Sequence, residues 1–190
     1  MQHKKLFTTK RLVLAAMLAA LTTVGSYARI VVPIDIGNGS TAFHLGNIMC
    51  ALSGILLGPW LGGLAAGLGS AIFDMLNPLY ISEAWITFLF KCAYGMAAGL
   101  VVYCGKKQWG YGKAIAGATA GAAAYAALYL LKSYFYNGLL LQGLTPDAAW
   151  LTILSKLPAT IFNAAVAIIF APILAVAIRT ALKKARLSLE

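Results

Sequence analysis

Leu56-Leu57-Gly58-Pro59-Trp60-Leu61-Gly62-Gly63-Leu64-Ala65-Ala66-Gly67-Leu68-Gly69-Ser70 decides how this chain folds. A glycine followed by a proline ends one helix and starts another. The apolar runs on either side, at 44–59 and 61–76, are therefore two segments joined by a tight turn at one surface. A helix needs roughly 20 apolar residues to cross a bilayer core of about 30 Å, and these two segments fall short individually. Further hydrophobic segments lie at 11–31, 83–104, 112–136 and 148–178. The whole chain has 190 residues, 61% apolar and 11% charged, against roughly 45–50% and roughly 25% in soluble domains. Too few polar side chains exist to coat a surface in water, whereas lipid demands no such coat. The expected fold is an all-α membrane protein, a compact bundle of six transmembrane helices forming a single domain over residues 1–190. A cytosolic enzyme, a disulfide-stapled secreted domain and a disordered chain are excluded. Cys50, Cys92 and Cys104 sit in apolar stretches without paired spacing and read as small buried hydrophobes.

The net charge of +10 raises the question of nucleic acid, and its distribution answers it. Six crossings put both termini on one side. Lys4, Lys5, Lys10 and Arg11 precede the first helix, Lys106, Lys107 and Lys113 surround the connection after the fourth, and Arg179, Lys183, Lys184 and Arg186 follow the sixth. These are eleven of the fifteen basic residues, all on the face that the positive-inside tendency assigns to the cytoplasm. The other connections carry Asp35, Glu83 and Asp147, with Arg29 their only base. The charge is topological, and no nucleic-acid partner is expected. The first helix resembles a signal peptide in having a basic start and an apolar run, but Leu12 to Val24 is followed by no convincing small-residue cleavage site, so it reads as retained.

The outer connections are longer than the Gly58-Pro59 turn: Pro33 to Ser40, Asn77 to Ser82, and Asn137 to Asp147. Val31 to Ile36 has extended character, Gly37-Asn38-Gly39-Ser40 supplies turn chemistry, and Thr145-Pro146 reads as the cap and first turn of the last helix. No internal repeat is obvious, which weakens a transporter built from two related halves. Helix association in lipid relies on close backbone approach. Gly54, Gly58 and Gly62, then Gly63 and Gly67, Gly95 and Gly99, and Gly117 and Gly121 all recur at spacing four and read as packing within the bundle. Ala15, Ala16, Ala19 and Ala20 make a smooth face on the first helix. Spacing alone ranks an internal neighbour first for that face and another subunit second.

Ionisable groups inside the bilayer are the most informative residues. A lysine at mid-membrane costs at least ~2.5–3.5 kcal/mol, so it faces the protein interior or water. Lys91 and Lys156 lie within apolar helices, Lys132 near the outer end of the fifth, and Asp74 and Asn77 at the outer end of the third. They point to one polar cluster in the outer half. Tyr80, Trp85, Tyr94, Tyr134, Tyr136 and Trp150 surround it, and an interfacial belt accounts for many of these. His44, Asn47, Asn137, Gln142 and Asn163 add donors and acceptors at similar depth. Lys156 and Asn163, seven residues apart, share one face of the last helix. Aromatic walls with a few fixed polar groups suit a small polar ligand, while a purely structural role, Asp74 neutralising one lysine, is the competing reading.

Catalysis finds no support. Gly67-Leu68-Gly69-Ser70-Ala71 lacks a partner base, since His3 lies in the tail and only His44 remains. Asp74 has no second intramembrane aspartate, no P-loop is present, and His44, Cys50 and Asp74 show no metal-ligand spacing. No cofactor or metal is expected on this chain, and it is not an enzyme. The absence of a polar path reaching both surfaces favours capture over autonomous pumping.

The run Arg11-Leu12-Val13-Leu14-Ala15-Ala16-Met17-Leu18-Ala19-Ala20, followed by His44-Leu45-Gly46-Asn47-Ile48, Leu56-Leu57-Gly58-Pro59 and Gly62 to Ser70, resembles the substrate-binding S component of energy-coupling-factor (ECF) vitamin transporters over essentially the whole chain. The resemblance implies a multi-pass bacterial plasma-membrane protein that captures a vitamin outside. It implies a transmembrane coupling subunit and two cytoplasmic ATPases as partners, with ATP and Mg used by those subunits. It promotes Ala15, Ala16, Ala19 and Ala20 to the docking face for the coupling subunit. Lys156 and Asn163 become the first expected ligand contacts, then Lys91, Asp74 and Asn77, with Asn47, His44, Tyr80, Trp85 and Lys132 completing the set. The lysines favour an anionic or acceptor-rich ligand such as pantothenate, a folate or a flavin. A non-transporting membrane scaffold and a self-sufficient secondary transporter are the alternatives.

Overall fold

The structure, a computed structural model of the chain, describes residues 8–34, 39–104 and 109–186. His3, Lys4, Lys5, Asp35, the turn residues Gly37 and Asn38, Lys106 and Lys107 lie outside the described residues. Six α-helices occur among those described: α1 Thr9–Tyr27, α2 Gly46–Leu57, α3 Pro59–Met75, α4 Ala84–Tyr103, α5 Tyr111–Lys132 and α6 Pro146–Lys184. Strands β1 (Arg29–Ile34) and β2 (Gly39–His44) form an antiparallel hairpin between α1 and α2, in register from Arg29 opposite His44 to Ile34 opposite Gly39. The protein is a helical membrane protein that carries this one hairpin among its described residues. Among the described residues, three helical stretches are long and apolar enough to cross a bilayer: Ile81–Tyr103, Tyr111–Leu141 and Pro146–Lys184.

α2 lies at the centre. Every residue but Met49 is buried, and the other five helices pack around it. Its 12 residues are too few to span alone, as the break at Gly58 requires. Gly58 takes φ 84°, a left-handed conformation that glycine alone adopts without penalty, and Pro59 opens α3 at its first position. Small residues set the helix spacing here. A Cβ on Gly54 would strike the Gly95 carbonyl of α4, and one on Gly95 would come within 2.8 Å of the Gly62 carbonyl of α3. The spacing-four glycines therefore do serve internal packing. The last carbonyls of α2 find donors from neighbouring helices, as an interior helix end requires: Arg11 Nη2 donates to Leu57 O at 2.5 Å and Tyr103 Oη to Leu56 O at 2.9 Å.

Several boundaries differ from the sequence expectation. α1 stops at Tyr27 instead of running to residue 31, because the chain passes directly into β1. Gly39 and Ser40, expected in the turn, belong to β2. The connection expected from Asn137 to Asp147 is mostly helical. α5 continues as a nine-residue π-helical segment, Ser133–Leu141, which leaves only residues 142–145 as a link. Thr145 caps α6 as expected, its hydroxyl accepting from Ala148 N. α6 then runs 39 residues, about 58 Å at ~1.5 Å per residue, far beyond the 148–178 segment. Cys50 is buried but Cys104 is exposed, since it closes α4 at the end bearing Gly58.

Candidate functional site

A cavity of about 160 Å³ opens at the hairpin end of the bundle, opposite the Gly58 turn. Its wall is assembled from the C-terminal ends of α1 and α3, the N-terminal ends of α2 and α4, the last turns of α5, the middle of α6 and both strands. Lys91 stands at its floor. Its ammonium lies 3.6 Å from the centre of the Tyr125 ring and 5.8 Å from that of Tyr94, and it donates to Asn47 Oδ1. Tyr94, Tyr125 and Tyr129 form a stacked run, with ring centres 5.6 and 5.9 Å apart. The floor is tight: a Cβ on Gly121 of α5 would lie 2.6 Å from the Tyr94 ring. Asp74, buried on α3, has Thr87 beside its carboxyl and lies within electrostatic reach of Lys91. A cation in a low-dielectric interior must meet opposite charge, hydrogen bonds or ring faces, and Lys91 meets all three.

The hairpin is fastened on both edges. On α6, Asn163 Nδ2 donates to Ala42 O at 2.7 Å while its Oδ1 accepts from His44 N at 3.0 Å, so one amide side chain pairs with the strand edge as a neighbouring backbone would. Phe43 meets Phe162 edge-on at 5.0 Å. On the other edge Arg29 places its guanidinium 4.8 Å from the Phe73 ring centre and 5.0 Å from that of Tyr80. His44 Nδ1 is buried without a hydrogen-bond partner. Burial of the ring, then the charges of Lys91 and Arg29, push the His44 pKa down to about 3, so the imidazole is neutral at physiological pH.

Of the expected ligand contacts, Lys91, Asp74, Asn163, Asn47, His44, Tyr80 and Lys132 all line this cavity. Three expected residues do not. Lys156 is buried, but it donates to Ser133 Oγ at 3.3 Å, against the π-helical segment. Seven residues at ~1.5 Å put it about 10 Å further out along α6 than Asn163, and its ammonium lies 5.7 Å from the centre of the cavity-lining Tyr129 ring, at the rim. Asn77 lies past the end of α3 and is spent on a turn, its Oδ1 accepting from Leu79 N at 3.1 Å. Trp85 is 61% exposed, because six residues turn it about 120° away from Lys91 around α4. Lys132 reaches the wall already paired with Glu83 Oε2 at 2.5 Å, and Asn137 Nδ2 donates to Glu83 Oε1 at 2.6 Å.

The alanine face of α1 is divided. Ala15 and Ala19 are buried inside the bundle, where a Cβ on Gly69 of α3 would strike the Ala19 carbonyl. Ala16 and Ala20 stay exposed, beside Val13 and Met17. Sequence reasoning missed Arg29, Phe73, Glu83, Tyr125 and Tyr129 as cavity-lining groups. The signals were present: Arg29 is the only base in the outer connections, and Tyr125, Tyr129 and Lys132 recur at helical spacing of four and three.

A protein of Pyrococcus woesei, described as an uncharacterized protein in a gap 3′ region, is 30% identical over 119 residues, which are 63% of this chain and 74% of that protein. Residues 6–180 match the family described as "ECF-type riboflavin transporter, S component". The match spans every helix and the hairpin, from the start of α1 to the last turns of α6, and the chain belongs to that family of membrane-embedded S components.

Proposed function

We propose that this protein captures a vitamin or related micronutrient with high affinity at the outer face of the plasma membrane. It delivers that ligand inward through an ATP-driven complex with a transmembrane coupling subunit and two cytoplasmic ATPases, which bind the ATP and Mg. The chain crosses the bilayer six times, with α2 too short to cover its full thickness, and both termini are cytoplasmic. One observation carries the reading. A cavity holding a buried cation on a tyrosine face opens at the end of the bundle opposite the Gly58 turn, while Lys10, Arg11, Lys113, Arg179, Lys183 and Lys184 belong to helix ends on the Gly58 side. By the positive-inside tendency that basic end is cytoplasmic, and the cavity faces out.

The experiment is a thermal-shift series on the purified chain in detergent, without partners, across a vitamin panel that starts with riboflavin. A ligand held at a hundred times its Kd stabilises the folded state by about 2.7 kcal/mol, so one compound should raise the midpoint clearly at micromolar concentration. A folded sample that responds to no compound would overturn the capture reading in favour of a scaffold.

A further inference from the structure

Among the described residues, three basic and two acidic side chains line the cavity: Arg29, Lys91 and Lys132 against Asp74 and Glu83. Lys132 and Glu83 cancel in their ion pair. Lys91 donates to Asn47 Oδ1 and lies within electrostatic reach of Asp74. Arg29 is left over, and a guanidinium does not give up its proton in a protein. His44, its cross-strand neighbour, stays neutral and does not alter the count. Arg29 lies against the Phe73 and Tyr80 rings, whose centres are 4.8 and 5.0 Å from its guanidinium carbon and 6.4 Å from each other, so both rings flank one side of it and the other side keeps its N–H donors. Among the described residues no carboxylate lies within ion-pair distance of it. A guanidinium held against two rings at the wall of a cavity, whose donors meet no carboxylate among the described residues, recognises planar anionic oxygens.

We propose that Arg29 is a specificity-determining residue of this site and that the ligand it selects carries an anionic group, a carboxylate or a phosphate. The inference deepens the capture reading and rests on it. Arg29 offers its donors to the anionic oxygens while Lys91 and the tyrosine stack hold the body of the ligand further in.

The test compares matched pairs that differ in one charge, titrated calorimetrically into the full chain in detergent: pantothenate and panthenol, biotin and biotin amide, nicotinate and nicotinamide, riboflavin 5′-phosphate and riboflavin. For the pair that binds, the anionic member should bind about tenfold to a hundredfold more tightly, the range for hydrogen bonds to a charged group. Which pair responds separates a carboxylate from a phosphate ligand. Arg29→Gln should bring the two members to within about twofold of each other, with Arg29→Lys keeping part of the preference. An uncharged member binding as tightly as its anion overturns the inference and leaves capture standing. A preference that survives Arg29→Gln overturns the role of Arg29. If Arg29→Gln fails to fold, the ratio in the unaltered protein and in Arg29→Lys still decides. A folded chain indifferent to these compounds and to the wider panel overturns the capture reading itself.

Discussion

At the Gly58 end of the bundle α2, α3 and α4 touch through backbone, whereas at the hairpin end rings and amides also line a cavity among the helices. Around Gly54, Gly62 and Gly95 the absence of a Cβ lets α2, α3 and α4 approach until carbonyl oxygens fill the gap, and dispersion gained over that contact is what lipid-embedded helices have in place of a hydrophobic drive. Around Lys91 α3 and α4 still meet through backbone at Gly67 and Phe88, but Tyr94, Tyr125, Asn47 and Asp74 fill the space that α5 and α6 leave beside them. A rigid base can hold such a space without collapse. The pocket is thus a product of residue size along the helices: small where the bundle must close, large and polar where it must stay open.

The base should break hardest. Gly54→Val places two methyl groups where the Gly95 carbonyl and Ala98 already sit. Overpacking costs about 1–3 kcal/mol, and the upper end applies because the obstacle is backbone that cannot rotate away. The thermal midpoint of the purified protein should fall by several degrees and ligand binding should fail with it. A midpoint equal to the parent's would show that α2 and α4 are not in close register.

The cup should yield locally instead. Asn163→Leu keeps the bulk of the side chain but orphans Ala42 O and His44 N, both served by that one amide. An unsatisfied buried group costs about 1–3 kcal/mol, here confined to the hairpin, which has its second fastening through Arg29. Hydrogen exchange at the His44 amide should quicken at least tenfold while amides of α2 and α4 keep their protection. Uniform loss of protection would mean that Asn163 supports the whole bundle, and unchanged exchange that the strand is held by other contacts.

How far the sequence discloses this architecture follows from the range of each interaction. The Gly58-Pro59 break and the Thr145 cap are local, and both are where the sequence places them. Lys91, Asp74, His44 and Asn47 also converge as expected, because a polar group inside a membrane has only the protein interior to turn to. Lys156 obeys the same rule and is buried, yet it reaches Ser133 of the π-helical segment and the outer ring of the tyrosine run, Tyr129, instead of the cavity wall itself. Nothing in the residue pattern of 133–141 announces that α5 continues through it, so the length of both partners was misjudged and the depth of Lys156 with it. Arg29 escaped notice for a related reason. Its contact with Phe73 and Tyr80 exists only once the hairpin folds back over α3.

The smallest effect on the isolated protein belongs to α1, and there the test concerns the partner. Ala15 and Ala19 are committed to the bundle, with exposures of 8% and 9%. A tryptophan at position 19 should disturb the α1–α3 contact at Gly69 and so cannot report on docking. Ala16 is exposed, and in lipid a larger apolar side chain there meets only acyl chains. Ala16→Trp should leave the thermal midpoint and the ligand Kd unchanged, within the ±0.5 kcal/mol usual for surface positions. If this stripe is where the coupling subunit seats, the indole holds that subunit away, and uptake by cells carrying the complete transporter should drop at least tenfold. Normal uptake would move the docking face to another helix, and a weakened Kd would place Ala16 in the support of the cup.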